Sequence, residues 1–119
     1  MSNKNTQGYS NMNLSTLKQE AVNGLKAFAS EIITISGIVQ RLSASKLELD
    51  PKAIHVYVRS NITTLALTYT YDGTTATSGT GFGRFNNDEF ILTEFANLQK
   101  FQVIEENVGT TTIFITYLK

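Results

Sequence analysis

The apolar positions change period once along this chain. Leu14, Leu17, Ala21, Leu25 and Phe28 are separated by three, four, four and three residues, which lines them along one face of a helix. Lys18, Gln19, Asn23 and Lys26 fall mostly on the other side. Asn13 or Ser15 is placed to cap the first amides, and Thr16 with Gln19 has the spacing of a capping box. The pattern predicts an amphipathic helix over residues 14–30. Gly24 inside it costs about 1 kcal/mol relative to alanine, so the helix needs a surface to lie on: its own domain, a second copy or a partner. Residues 1–13 are polar, rich in Asn and Ser, and without period. They read as an arm that cannot offset its own ordering entropy.

From residue 31 onward the period is two. Ile32–Leu42 is the first run, with Ile33 and Ile35 on one face and Gly37 offering a bulge that shifts the alternation to Ile38 and Leu42. Lys46–Asp50 alternates strictly and stops at Pro51, which has no donor for a ladder. Ala53–Arg59 turns Ile54, Val56 and Val58 inward and His55, Tyr57 and Arg59 outward. Leu65, Leu67, Tyr69 and Tyr71 share a face opposite Ala66, Thr68 and Thr70. Asp72-Gly73 has the form of a two-residue hairpin turn. Ser78–Gly83 reads as a glycine-rich loop, Asn86-Asn87-Asp88 as a turn. Phe90–Thr93, Phe101–Glu105 and Thr111–Leu118 complete the set, with Ile113 and Ile115 in the core. Seven or eight short strands with turn signals every 8–12 residues predict an all-β antiparallel sandwich or small barrel. Sixteen threonines and ten isoleucines suit it, since β-branched side chains fit a pleated surface.

Composition narrows the chemistry. At 119 residues the chain is long enough for one core. Ten basic and ten acidic residues give zero formal net charge, which argues against binding nucleic acid or an anionic membrane. The charge is uneven: residues 1–60 carry seven basic and four acidic groups, residues 61–119 three and six. Such a split favours docking between copies or onto a partner. Without cysteine there is no disulfide, thiolate metal site or cysteine nucleophile. Apolar runs of at most three residues cannot span a bilayer, and the first ten residues lack the apolar segment of a signal peptide. The expected place of synthesis is a cytoplasm.

The candidate catalytic groups are sparse. His55 is the single histidine, and no Gly-x-Ser-x-Gly elbow accompanies it. Asp88-Glu89 and Glu105-Glu106 are adjacent pairs whose members point to opposite faces of a strand, so neither pair works as a two-carboxylate device. Gly79-Thr-Gly81-Phe-Gly83 lacks the Lys and the helix of a phosphate loop. Tyr57, Tyr69, Tyr71 and Tyr117 are of the type that stacks on sugars, but the alternation assigns Tyr69 and Tyr71 to the edge of the core. Arg41, Arg59 and Arg84 do not cluster. The expectation is therefore no enzyme, no metal and no cofactor. Partner binding is expected through the apolar stripe of Leu14, Leu17, Leu25 and Phe28.

Four segments come in a familiar order: Ala53-Ile-His-Val-Tyr-Val-Arg-Ser, Gly81-Phe-Gly-Arg-Phe-Asn-Asn-Asp-Glu-Phe-Ile-Leu, Asn97-Leu-Gln-Lys-Phe-Gln-Val-Ile and Thr112-Ile-Phe-Ile-Thr-Tyr-Leu. Over residues 31–119 the chain resembles the small jelly-roll decoration, auxiliary capsid and head-fibre proteins of tailed phages. Asn86-Asn87-Asp88 stands where those proteins usually carry a Pro-Gly turn. The Asn- and Lys-rich arm also suits an auxiliary head protein of the crAss-like phages. The resemblance implies a jelly-roll sandwich over 31–119 and a structural role in the virion. It also implies the major capsid protein as partner and a homotrimeric state. A carbohydrate-binding sandwich for host-surface recognition is the alternative.

Overall fold

Strands form where the alternation is backed by a neighbour to pair with. The computed structural model describes residues 24–119. Its elements are β1 (Ala27–Ile35), α1 (Ala44–Leu47), β2 (Ala53–Ser60), β3 (Leu67–Thr70), β4 (Phe82–Arg84), β5 (Glu89–Thr93), α2 (Phe95–Gln99), β6 (Gln102–Glu105) and β7 (Thr111–Leu118). A four-stranded sheet has the order β1-β7-β2-β5 and a three-stranded sheet the order β4-β3-β6. Every pairing is antiparallel. Gln40 adds one further bridge to the open side of β6, its amide and carbonyl both bonded to Val103.

The inward residues of both sheets form one core. Ile54, Val56, Val58, Ile113 and Ile115 come from the larger sheet, and Leu67, Tyr69 and Val103 from the smaller; all are buried. Each large aliphatic side chain so buried contributes about 1.5–3 kcal/mol before entropy is subtracted. Leu65, expected beside them, is only half-buried. Leu98 of α2 and Phe101 close one end of the core.

Several expected elements take another form. Ala27–Ser30, expected as the end of the 14–30 helix, is strand: β1 starts at Ala27 and pairs with β7 from Leu118 to Thr111. A run of cross-strand bonds outweighs helix propensities that differ by tenths of a kcal/mol. The sandwich therefore begins four residues before residue 31. The residues from 1 to 23, with the polar arm and most of the expected helix, lie outside the described residues. The bulge falls between Ala27 and Ala29 rather than at Gly37, and the first strand stops at Ile35, leaving Ile38 74% exposed.

Lys46–Asp50 is not a strand. Ala44–Leu47 forms one helical turn, and Asp50 turns the chain with φ +59° ahead of Pro51. Both edges of β2, the strand this segment leads into, are already taken by β5 and β7, so it cannot fold back to pair beside β2. Asp72-Gly73 is a bend rather than a two-residue hairpin, because β3 reaches β4 only through residues 71–81. The Asn86–Asp88 turn forms as expected. Asn87 has φ +73°, and the Asp88 carboxylate accepts the Phe85 amide at 2.7 Å.

A polar clamp joins the first and last strands. The Tyr117 hydroxyl and the Ser43 amide both donate to Glu31 Oε1, the latter at 3.1 Å. Tyr117 is fully buried. Burial, reinforced by the Glu31 carboxylate, pushes its phenol far above the ordinary value of 10. Replacing Tyr117 by Phe strips Glu31 of its buried partner and costs about 1–3 kcal/mol, read as a Tm lowered by several degrees. The pH dependence has a definite sign. Up to pH 10 the phenol is protonated in both states. Above it the unfolded chain loses a proton that the folded chain keeps, so stability falls as pH rises. A Tyr117→Phe protein should show a shallower loss of Tm above pH 10 than the wild type.

Candidate functional site: an aromatic groove and an apolar sheet face

The outward side chains of the four-stranded sheet line up in rows. Ile32 of β1, Phe114 of β7, Tyr57 of β2 and Glu89 of β5 are in register across all four strands. Ile32 is 66% exposed and Phe114 39%. The Tyr57 ring lies 6.2 Å from that of Phe114, and its hydroxyl donates to Asn87 Oδ1 at 3.0 Å. In the next row Thr116, His55 and Ile91 are aligned. A solvated sheet face is ordinarily polar; this one carries an apolar or aromatic side chain on each of its four strands.

His55 points outward, as its strand position requires, and has a partner that adjacency in sequence does not reveal. His55 Nε2 and Glu89 Oε1 are 2.7 Å apart, one diagonal step across the β2–β5 pair. Asp88, the neighbour of Glu89, is spent on the Phe85 turn. Among the described residues no three His, Asp or Glu side chains are grouped to hold a metal ion.

The second surface is a groove of about 390 Å³ along the three-stranded sheet, lined by Thr70, Tyr71, Asp72, Thr74, Thr80, Gly81 and Phe82. Tyr71 and Phe82 form its wall, ring centroids 5.6 Å apart and planes inclined by 41°. Phe82 is 51% exposed. Tyr69 braces them from inside the core at 6.3 and 5.5 Å and stacks on Phe90 at 4.3 Å. Sequence alternation assigned both Tyr69 and Tyr71 to the edge of the core; Tyr71 lies there, whereas Tyr69 is buried within the core. The alternation did not reveal Arg84, whose guanidinium sits 5.0 Å from the Phe90 ring and 5.6 Å from Tyr69, with Nη2 donating to the Tyr69 hydroxyl at 3.3 Å. Burial raises the Tyr69 phenol above its ordinary value, and Arg84 partly offsets that.

The far wall is the 72–81 loop, and two devices hold it. At Gly81, with φ +125°, a Cβ would lie 2.4 Å from the Tyr69 carbonyl oxygen and 2.9 Å from the Thr68 and Thr70 methyls. Only glycine lets the loop approach β3 this closely. Glu106 then acts as a latch: its carboxylate accepts the Thr68 hydroxyl at 2.5 Å, the Ser78 hydroxyl at 2.6 Å and the Gly79 amide at 3.1 Å. Those donors, Ser78 and Thr68 foremost, hold the Glu106 carboxyl below its ordinary value. In the bend itself the Asp72 carboxylate accepts the Thr74 amide at 2.9 Å, and the Thr70 hydroxyl donates to the Thr74 carbonyl at 2.6 Å.

Of the four side chains expected to bind a partner, Leu14 and Leu17 lie outside the described residues. Leu25 is half-buried. Phe28 belongs to β1, not to a helix, and its ring packs on its own core 6.4 Å from Tyr117. Lys119 Nζ lies 4.7 Å from the centre of the same ring.

The latch makes a prediction about the loop. Glu106→Gln weakens acceptors of two hydroxyls and one amide, so amide exchange at Ser78–Gly81 should speed up by about tenfold, the equivalent of roughly one net hydrogen bond. In the wild type the same loosening should set in as pH falls below 4.5, the ordinary carboxyl value, toward the lowered one. Hydrogen exchange followed by mass spectrometry reads both.

No family model, curated protein or solved structure matches this chain.

Proposed function

We propose that this chain is a structural virion protein, an auxiliary decoration or head-fibre protein of a tailed phage that binds the major capsid shell as a homotrimer. It is made in the host cytoplasm and works on the capsid surface. The observation that carries the reading is the interleaving of the two sheets. With the Gln40 segment counted as the second of eight strands, the sheets run first–eighth–third–sixth and second–seventh–fourth–fifth. On that count the order matches the one expected of a jelly roll, an architecture used by viral capsid and lectin domains, and this supports the reading. The resemblance of residues 31–119 to phage accessory proteins points the same way. So does the apolar row of Ile32, Phe114 and Tyr57, which suits contact with another protein more than contact with water.

Attachment falls to Leu14 and Leu17, since Phe28 is occupied within its own sandwich. Burying the two leucines contributes about 1.5–3 kcal/mol each before ordering costs. The full-length double variant Leu14→Glu/Leu17→Glu should keep the wild-type melting transition and lose co-sedimentation with capsids assembled without the protein. Phe114→Glu tests the sheet face in the same assay, and light scattering should give three times the 13.2 kDa chain mass for the wild type. Wild-type protein that fails to sediment with such capsids overturns the function. Undiminished binding by the leucine variant moves the anchor to the sandwich. A truncation meant to leave the first strand whole must stop short of Lys26, which bonds Lys119, because removal through residue 30 takes the first four residues of β1.

A further inference from the structure

We propose that the groove between the Tyr71–Phe82 wall and the 72–81 loop is a binding site for a neutral oligosaccharide. The proposal is independent of capsid attachment, which uses other residues. It starts from the chemistry of the groove, which is split into two kinds of surface. One side is aromatic: the half-exposed Phe82 ring and the Tyr71 ring, meeting at 41°. The other side is lined by short oxygen-bearing residues, namely Thr74, Thr80 and Asp72. A sugar ring has the matching division, a face of C–H groups and a rim of hydroxyls that both donate and accept. An aromatic ring takes the first, while hydroxyl and carboxylate oxygens take the second.

Other ligand classes fit less well. A phosphate or carboxylate would meet the Asp72 carboxylate on the rim without an opposing cation among the lining residues. A wholly apolar ligand would strip water from the exposed Asp72 carboxylate and the polar residues beside it, which costs more than it returns. The volume of about 390 Å³ lies at the small end of the usual range for small-molecule sites. It suits one or two sugar rings, with the rest of a chain running out over the surface.

The site is held in shape before any ligand arrives. Tyr69 backs both aromatic residues and is itself held by its stack on Phe90 and by the Arg84 guanidinium, which donates to its hydroxyl. Glu106 fixes the loop through Ser78 and Gly79, and Gly81 allows the loop to rest directly on β3. Asp72 is oriented by the Thr74 amide, and one carboxylate retains acceptor capacity beyond a single bond. Walls fixed in this way lower the ordering cost that a weak, shallow site would otherwise bear. Glu106 is thus a positioning residue for the site, not a contact.

The test is a titration of the isotope-labelled full chain followed by amide chemical shifts. The probes are neutral trisaccharides of glucose, galactose, mannose and N-acetylglucosamine, together with a sialylated trisaccharide. At least one neutral probe should give saturable shifts at Tyr71, Asp72, Gly81 and Phe82 at millimolar concentration. Phe82→Ala should weaken that binding by about tenfold or more, and Phe82→Tyr should retain it. Should Phe82→Ala unfold, the exposed Asp72→Asn carries the same test, with a loss of about tenfold for one hydrogen bond to a charged group. The sialylated probe should bind more weakly than its neutral parent. The proposal fails if no neutral probe gives saturable shifts, if the shifts map away from the groove, or if the sialylated probe binds more tightly.

Discussion

The structure depends on β7 being held along both edges. Among the described residues β1 has no other strand to pair with, and β2 uses β7 to reach β1. The last eight-residue strand of the chain must therefore be in place before the first strand has a sheet to join. The Tyr117–Glu31 contact spans 86 residues, and closing so long a loop is costly until the ladder and the buried side chains repay it. Once formed, the arrangement hides Ile113, Ile115 and Tyr117 entirely. It also leaves their outward neighbours, Thr112, Phe114 and Thr116, on the outer face of the sheet. The apolar row on that face is a direct product of the register: Ile32, Phe114 and Tyr57 are far apart in sequence and lie side by side only because both β7 ladders are set as they are.

The smaller sheet solves a different problem. All four residues of β3 are buried, although Thr68 and Thr70 point away from the core. Their hydroxyls need partners, and the 72–81 loop with Glu106 supplies them. Polar burial thereby fixes a loop that composition alone would leave free, and the fixed loop turns an exposed aromatic pair into a groove. The same logic operates at Glu31, where one carboxylate oxygen serves a strand, a buried phenol and the backbone of the α1 turn.

The features legible from residue order alone are local and periodic. The alternation over Ala53–Arg59 and Thr111–Leu118 named strands and inward faces correctly, because inward residues of a sheet with one buried face must be apolar every second position. The Asn86–Asp88 turn was readable from residue types that tolerate positive φ and accept from the backbone. Where sequence reading failed, a local pattern had two solutions. Lys46–Asp50 alternates, yet both edges of β2, the strand it leads into, are taken by β5 and β7. Leu25 and Phe28 keep helical spacing, yet Ala27–Ile35 is drawn into strand by β7. Of the two surfaces, Tyr71, Phe82, His55 and Tyr57 were visible as residues, but not as sites. Their partners, Thr80 across the groove, Glu89 beside His55 and Phe114 beside Tyr57, come from other elements. Register and long-range pairing decide which side chains meet, and those are properties of the folded chain as a whole.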